Sequence, residues 1–363
     1  MPVAGIRRQP LHGERMAAQV SSQIWLGWVA ELMRRSATSN EATSRISRDG
    51  FCCLLDEQPT HLVPQRLLRQ AQTNQDTGEL SFNPDCRLCS ENSSNRLDAG
   101  AGFFTTSAPA GGSIAWVRDP PTGTDTPFWL GAKLSCLVRT LEHDAAAIPR
   151  LSPDVQALLC SAQILVPQGY AERRRQSWSK ITQSGRTRFQ QNGYAAVTGL
   201  IHPLHLAALR QHYRRLIRKG TIQLGDDQSS RRYIAHNDAA ARFFHLQLTK
   251  VVSDFVGEPV KPSYVYMAAY QAGARLEKHT DREQCQYSIS LCLDYSPEPT
   301  AGTPWPLRLD TARGTVTVYQ ALGDGLLYRG RELPHYRRTL AEGNSSTSIF
   351  FHYVAEDFSG PLE

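Results

Sequence analysis

The stretch YVYMAAYQAGARLEKHTDREQCQYSISLCLDY, residues 264–295, opens the part of the chain that decides its fold. Four similar runs follow it: WPLRLD at 305–310, GTVTVYQ at 314–320, GDGLLYRGRELPHYRRTL at 323–340 and SSTSIFFHYV at 345–354. Short β-branched and aromatic runs broken by Gly, Pro and Asp are typical of antiparallel strands joined by tight turns. The sequence therefore predicts a β-rich unit over residues 264–353.

Three polar side chains in this unit have the spacing of a metal site. His279 and Asp281 flank Thr280, and His335 lies in a later strand-like run, just after Gly330. Side chains alternate along an extended segment, so His279 and Asp281 project to one side. Two imidazoles and one carboxylate on one face of a metal are the ligand set of non-haem Fe(II) oxygenases. We predict that these three residues bind Fe(II); the alternative is ordinary polar residues of a loop and a turn.

The H-x-D motif at 279–281, the distal His335 and the strand rhythm together resemble the 2-oxoglutarate- and Fe(II)-dependent dioxygenase superfamily. The resemblance is greatest to its prolyl-hydroxylase-like branch and covers residues 193–358. It implies an α+β protein whose C-terminal part is a double-stranded β-helix, a jelly-roll or cupin-like barrel with flanking helices. It also implies Fe(II), 2-oxoglutarate as cosubstrate and O₂, with ascorbate as an optional reductant.

The residue that holds the far carboxylate of 2-oxoglutarate departs from the pattern of this superfamily. Many relatives use an Arg or Lys on the last strand, but here that region reads GNSSTSIFFH, residues 343–352. We expect Arg337 to take this role, because on an extended strand it faces the same way as His335 and carries a planar fork. The alternatives are that Arg337 pairs with Asp324 or Glu332, or that the cosubstrate is another molecule.

Further candidate contacts to the cosubstrate come from three strands of the predicted barrel. They are Arg308 on LRLD, His352 on the last strand, and the hydroxyls of Tyr264, Tyr266 and Tyr270 on the first strand.

The resemblance implies an enzyme that hydroxylates an unactivated C–H bond and releases succinate and CO₂. A carboxylate at position 281, rather than Ala or Gly, leaves no ligand vacancy for a halide, which favours hydroxylation over halogenation. We expect a peptide or an amino-acid-derived substrate. Two alternatives remain: a hydroxylase of a free small-molecule secondary metabolite, and a non-catalytic barrel that binds a metal or a ligand.

Composition describes an ordinary globular protein with no sign of nucleic-acid binding. The 363 residues carry a net charge of +6, and no interleaved basic and aromatic patch is present. No secretory signal precedes the eight cysteines, so we expect a cytoplasmic protein with reduced thiols and no membrane segment. Cys86 and Cys89 form half of a zinc pattern, but a second pair with ligand spacing is missing, so a zinc site is not predicted.

The chain before the barrel is predicted to be a smaller α+β region, residues 1–170, followed by a dioxygenase domain at 171–363. Helical spacing of apolar residues predicts a helix at 17–35. Two helices and a strand at 128–168, the second helix capped by Ser152, weakly resemble the leader-peptide-recognition modules of some peptide-modifying enzymes. The region is therefore a candidate substrate- or peptide-recognition lobe, and an ordinary structural lobe is the alternative.

Residues 224–240, LGDDQSSRRYIAHNDAA, are predicted to form a polar loop, followed by one helix at 241–257. Loops on rigid scaffolds often carry specificity. Candidate substrate contacts at the mouth of the barrel are Arg231, Arg232, Tyr233, His236 and Asn237, and a solvated surface loop is the alternative.

Overall fold

The computed structural model describes residues 51–57, 59–67, 79–90, 109–226 and 229–363. The helix predicted at 17–35 lies outside these residues. The described chain combines helices with antiparallel sheets, so the predicted mixture of α and β structure is confirmed.

The described strands form four sheets, two of which build the centre of the molecule. A six-stranded sheet has the order β6-β13-β10-β15-β8-β7, and a four-stranded sheet has the order β12-β11-β14-β9. Two small sheets, β2-β3-β4 and β1-β5, lie earlier in the chain. The strands are β1 (Leu80–Phe82), β2 (Cys86–Ser90), β3 (Ser113–Arg118), β4 (Asp125–Leu130), β5 (Leu165–Pro167), β6 (Tyr194–Val197), β7 (Arg232–His236), β8 (Val260–Tyr270), β9 (Leu276–His279), β10 (Tyr287–Ser296), β11 (Leu307–Thr311), β12 (Gly314–Val318), β13 (Gly325–Arg329), β14 (His335–Arg337) and β15 (Ser345–Ala355).

From β8 to β15 the chain passes back and forth between the two large sheets. Strands β8, β10, β13 and β15 belong to the six-stranded sheet, whereas β9, β11, β12 and β14 belong to the four-stranded sheet. Leu307 and Leu309 of β11 form one hydrophobic cluster with Leu326 and Tyr328 of β13. The two sheets therefore pack face to face.

The two faces of the six-stranded sheet have different neighbours because side chains alternate along each strand. In β10, Ile289 and Leu291 share a hydrophobic cluster with the helix residues Phe243 and Phe255. Cys292 belongs instead to a cluster between the sheets. The outer face thus packs on helices, and the inner face lines the interior between the sheets.

Most predicted helices are present at their expected places. In the helix predicted to be capped by Ser152, the Ser152 hydroxyl accepts a hydrogen bond from the backbone N–H of Val155 at 3.5 Å. The helices are α1 (Ala132–His143), α2 (Pro153–Ser161), α3 (Tyr170–Asn192), α4 (Pro203–Arg218), α5 (Ala239–Gln247) and α6 (Thr249–Val256). Among the described helices, none combines the length and the apolar character needed to cross a membrane.

Two local predictions are wrong. The polar loop at 224–240 contains β7, which pairs with β8 along its whole length, from Arg232 opposite Tyr270 to His236 opposite Tyr266. The sequence of β7 lacks a clear alternation of apolar and polar residues, because this strand lies at the edge of the sheet and is only partly buried. The single helix predicted at 241–257 is two helices, α5 and α6, that meet at Leu248.

Ion pairs join helix α4 to a bulge in β10. The Arg210 guanidinium, 2% exposed, donates to Asp294 at 3.0 Å and to Glu298 at 2.9 Å. Arg214 donates to the other oxygen of Asp294 at 2.6 Å. Arg210 also donates to the backbone carbonyl of Leu62, so the network reaches the segment at 59–67.

The main hydrophobic cluster contains side chains from both sides of residue 170. Trp116 of β3 and Phe243 of α5 approach with their ring centroids 6.1 Å apart, and the backbone N–H of Asp125 donates to Gln247 at 2.9 Å. The division of the chain at residue 170 stays a prediction, and it would cut through this shared core.

Two buried histidines at the start of α4 are held neutral. His202 donates from Nε2 to the carbonyl of Ser161 at 2.8 Å, and His205 donates from Nε2 to the carbonyl of Pro127 at 2.8 Å. Burial lowers the pKa of His205 to about 3 and also lowers the pKa of His202. Both histidines therefore stay uncharged in the folded protein where an unfolded chain would bind protons.

We expect the free energy of unfolding to fall as the pH falls below the ordinary histidine value of 6.5. In that range the unfolded chain binds protons that the folded His205 does not, at a cost of about 1.4 kcal/mol per pH unit for each such histidine. Denaturant titrations between about pH 5 and 8 measure this slope. His205→Gln should make the dependence of the unfolding free energy on pH shallower, and the exposed control His61→Gln should leave it unchanged. Equal slopes in the parent and both variants would refute the claim that His205 stays uncharged in the folded protein.

Candidate metal centre

The structure brings the three predicted metal ligands together at one point. His279 ends β9 and pairs directly with His335, which begins β14. Asp281 follows β9, and its Oδ1 lies 3.6 Å from Nε2 of His279 and 3.4 Å from Nε2 of His335. One ligand atom from each residue lies within 4.8 Å of the other two, which is the separation that a single metal ion requires. His335 is buried, whereas the side chain of His279 is 40% exposed and opens the site to solvent.

Both imidazoles are oriented by a backbone carbonyl. Nδ1 of His279 lies 2.8 Å from the carbonyl of Glu277, and Nδ1 of His335 lies 2.9 Å from the carbonyl of Leu333. A carbonyl oxygen only accepts, so each Nδ1 donates, and each Nε2 is the ring nitrogen that faces Asp281 and is available to a metal. Backbone acceptors of this kind orient histidine ligands in metal sites.

The Asp281 carboxylate is held in its charged form. Burial raises the pKa of its carboxyl, but the neighbouring His335 and His352 and the hydrogen bond from Ser288 outweigh burial, so its pKa lies below the usual value. The Ser288 hydroxyl donates to Oδ2 at 2.9 Å. The carboxylate also fills space that only glycine leaves free: a Cβ on Gly330 would stand 2.3 Å from Oδ2.

The predicted cosubstrate anchor Arg337 is buried in the interior between the sheets. Its guanidinium donates to the carbonyl of Trp305 at 2.5 Å and to the side chain of Gln320 at 3.2 Å, and it lies over the Trp305 ring at 4.9 Å. Burial lowers its pKa, which means that the protein offers little compensation for the charge. No carboxylate of the described residues pairs with it.

The two acids that were alternative partners of Arg337 are engaged elsewhere. Asp324 accepts from Arg66 at 2.7 Å, and Glu332 accepts from Arg329 at 3.1 Å. The guanidinium of Arg337 is thus a buried cation whose described partners are neutral.

Tyr270 lies beside Arg337 and also beside a second buried arginine. Its hydroxyl is buried and interacts with the guanidinium of Arg232. The guanidinium of Arg232 lies 5.9 Å from the Tyr270 ring and pairs with Asp226 at 3.1 Å. Sequence reasoning placed Arg232 among the mouth residues and missed this position, because only the pairing of β7 with β8 reveals it. Arg232, Tyr270 and Ser346 stand side by side in one row of the sheet.

The remaining residues predicted to contact the cosubstrate, Arg308, His352 and Tyr266, lie at different distances from the triad. Arg308 is on the opposite face of β11 from the buried Leu307 and Leu309, so it points away from the interior between the sheets. Nδ1 of His352 lies 2.9 Å from the Ser288 hydroxyl, next to the triad. Tyr266 stacks on His352 with a centroid distance of 5.7 Å.

The residues predicted at the mouth are spread over β7 and its ends. His236 is exposed and stacks on the ring of Tyr264 at 5.3 Å. Asn237 accepts from the backbone N–H of Val265, and Arg231 donates to the carbonyl of Ala272. His236 thereby contacts Tyr264, whose ring lies 4.7 Å from that of His352 next to the triad.

No protein-family model matches the chain, and no curated protein matches its sequence. Solved structures do match over about half of the chain. A prolyl-4-hydroxylase from Pseudomonas putida is 17% identical over 48% of this chain and 99% of that chain, with a TM-score of 0.40. AviO1 from Streptomyces viridochromogenes is 21% identical over 50% of this chain and 97% of that chain, with a TM-score of 0.41.

The matches also include SnoN, a non-haem α-ketoglutarate-dependent epimerase from nogalamycin biosynthesis. It is 13% identical over 49% of this chain and 83% of that chain, with a TM-score of 0.42. SnoN has a second matching structure in complex with Fe³⁺ and α-ketoglutarate. Non-haem α-ketoglutarate-dependent enzymes and prolyl hydroxylases are thus among the matched structures.

We predict that Gly330→Ala weakens metal binding. The new methyl group would overlap the Asp281 carboxylate and displace it from the two imidazoles. We expect at least ~10-fold weaker Fe(II) binding in anaerobic titration, the scale of disturbing a metal's supporting shell. Gly343→Ala is the control. A Cβ added at Gly343 would have no other atom within 4 Å, so this substitution introduces only the backbone strain of an alanine at a φ of +74°. Equal affinity in the two variants would show that Asp281 does not hold the metal.

Proposed function

We propose that this chain is an Fe(II)- and 2-oxoglutarate-dependent dioxygenase that hydroxylates a C–H bond. The observation that carries the proposal is the meeting of two imidazole Nε2 atoms and one carboxylate at a solvent-facing point. His279, Asp281 and His335 would hold the metal. We also infer that the strands from β8 to β15, residues 260–355, form a double-stranded β-helix, because the chain passes repeatedly between two facing sheets over this range.

The donor set fits the proposed metal. Nitrogen and oxygen ligands in a facial group, with the remaining positions free, suit Fe(II) better than the four-ligand closed sites of structural zinc. Asp281 fills the carboxylate position of the triad, which favours hydroxylation over halogenation.

The interior also fits the cosubstrate. 2-Oxoglutarate is a dianion that accepts hydrogen bonds and donates none, and Arg337 is a buried cation whose described partners are neutral. The buried hydroxyl of Tyr270, which interacts with Arg232, offers a further donor at this end. We therefore assign the far carboxylate of 2-oxoglutarate to Arg337 and Tyr270, and not to Arg308 or His352. Arg232 can add a second positive charge at this end, although Asp226 already engages it.

When bound, Fe(II) with 2-oxoglutarate and O₂ supplies the oxidising chemistry, and succinate and CO₂ are released. The chain supplies orientation and electrostatics. Backbone carbonyls fix both imidazole rings, and Ser288 fixes the carboxylate of Asp281. The exposed side of His279 leaves an approach for substrate, and the apolar interior excludes water from the anchor.

We propose a peptide or an amino-acid-derived substrate, with residues 1–170 contributing to its recognition. The test is a mass-spectrometric screen of peptides and metabolites for products that gain one oxygen atom, run together with a succinate assay. Conversion of a free metabolite and of no peptide would move the substrate to small molecules. Iron binding without succinate under any condition would indicate a binding barrel instead of an enzyme.

Purified without oxygen, the protein should bind about one Fe(II) per chain. His279→Ala and Asp281→Ala should each weaken binding at least ~10-fold, because each removes a ligand and not merely a supporting contact. Isothermal titration with Fe(II) under nitrogen measures the affinity, and His143→Ala, at the exposed end of α1, is the control. Stoichiometric iron in both variants would exclude these residues from the site.

Arg337→Ala should raise the concentration of 2-oxoglutarate needed for half-maximal turnover while Fe(II) affinity stays nearly intact. Loss of a charge-assisted bidentate pair costs about 2–3 kcal/mol, or ~30- to 150-fold in affinity. Succinate formation against 2-oxoglutarate concentration gives the value. Arg338→Ala is the matched control, because that neighbour is exposed. An unchanged requirement with a lower melting temperature would make Arg337 structural, and Arg232→Ala would then be tested for the same role.

A further inference from the structure

A tyrosine and a cysteine lie in contact next to the metal triad. The hydroxyl oxygen of Tyr264 is 3.1 Å from Sγ of Cys285, and both residues are buried, at 5% and 1% exposure. Tyr264 belongs to the inner face of β8. Cys285 ends a short 3₁₀ turn, Glu283–Cys285, that begins directly after the loop carrying Asp281.

The cysteine lies next to the triad carboxylate. Sγ of Cys285, a carboxylate oxygen of Asp281 and a ring nitrogen of His352 all lie within 4.8 Å of one another. The pair thus stands at the position where the proposed enzyme would generate its oxidant.

The tyrosine ring is held in place from two sides. Arg282 donates from Nη2 to the Tyr264 hydroxyl at 3.0 Å, and its guanidinium lies over the ring at 5.3 Å. The imidazole of His236 stacks on the ring at 5.3 Å. These contacts hold the Tyr264 hydroxyl against the sulfur. Cε is bonded to the ring carbon that carries this hydroxyl, so proximity favours bond formation there.

We propose that Cys285 and Tyr264 form a thioether crosslink, Sγ to Cε, when the enzyme consumes 2-oxoglutarate and O₂ without its substrate. This inference rests on the proposed function. The S–H bond of Cys285 and one Cε–H bond of Tyr264 break, and a C–S bond forms. The two side chains lose two electrons and two protons in total. These reduce one oxygen atom of O₂ to water, while the other oxygen atom enters succinate as 2-oxoglutarate loses CO₂.

The experiment uses the full chain with Fe(II), 2-oxoglutarate and air, in the absence of any substrate. Intact mass should fall by two hydrogen atoms per chain, and thiol labelling under denaturing conditions should count seven cysteines where the sequence has eight. Digestion should yield one joined peptide that contains Tyr264 and Cys285. Protein loaded with Zn(II), or given no 2-oxoglutarate, should keep its mass.

Cys285→Ser and Tyr264→Phe should each abolish the loss of two hydrogens. Cys292→Ser is the matched control: that buried cysteine lies between the same sheets but makes no hydrogen bond to a tyrosine hydroxyl among the described residues, and its variant should crosslink like the parent. Succinate is measured in the same samples. Succinate formation with unchanged mass, or with added oxygen atoms on either side chain, would overturn the crosslink and leave the proposed function standing. Absence of both iron binding and succinate would instead refute the proposed function itself.

Discussion

The negative charge of Asp281, buried where two sheets meet, is the constraint on which the centre depends. Taking a carboxylate out of water costs several kcal/mol unless partners compensate. The Ser288 hydroxyl supplies one hydrogen bond, and a glycine at position 330 supplies the space. The Nε2 atoms of His279 and His335 both face this carboxylate. A divalent cation bound between the three groups would compensate the charge, which gives a physical reason for their arrangement.

A second buried charge complements the first. Arg337 lies deeper in the same interior, and its described partners are a carbonyl, an amide and an aromatic ring. Two positive charges on the metal and one on Arg337 equal the single charge of Asp281 together with a dicarboxylate. The loaded interior would therefore be neutral, whereas the chain alone carries separated charges in a region of low dielectric. With both groups bound, this neutrality would explain why Arg337 is buried without an acidic partner among the described residues.

The sequence predicts well those parts in which short-range periodicity and burial agree. Strands β8, β10 and β15 stand out as apolar and aromatic runs because both of their faces are buried, one on helices and the other on the interior between the sheets. The grouping of His335 with His279 and Asp281 was also predictable, because an H-x-D motif on an extended segment needs a third ligand from a distant strand. Strand β7 was not predictable, because an edge strand with polar, half-buried residues has the composition of a loop. The position of Arg232 was missed with it, since a residue's row in a sheet depends on pairing between segments far apart in sequence.

The earlier part of the chain is bound to the barrel by more than a linker. Arg210 is almost fully buried between Asp294, Glu298 and a backbone carbonyl at Leu62, and Trp116 packs against a helix that covers the six-stranded sheet. Breaking a buried ion pair by removing one partner costs about 3–5 kcal/mol, a large part of a typical domain's stability. Removing the segment at 59–67 would expose Arg210 and the bulge of β10 that Asp294 occupies. Strand β10 also carries Ser288, so packing outside the barrel supports the strand that orients the carboxylate of Asp281.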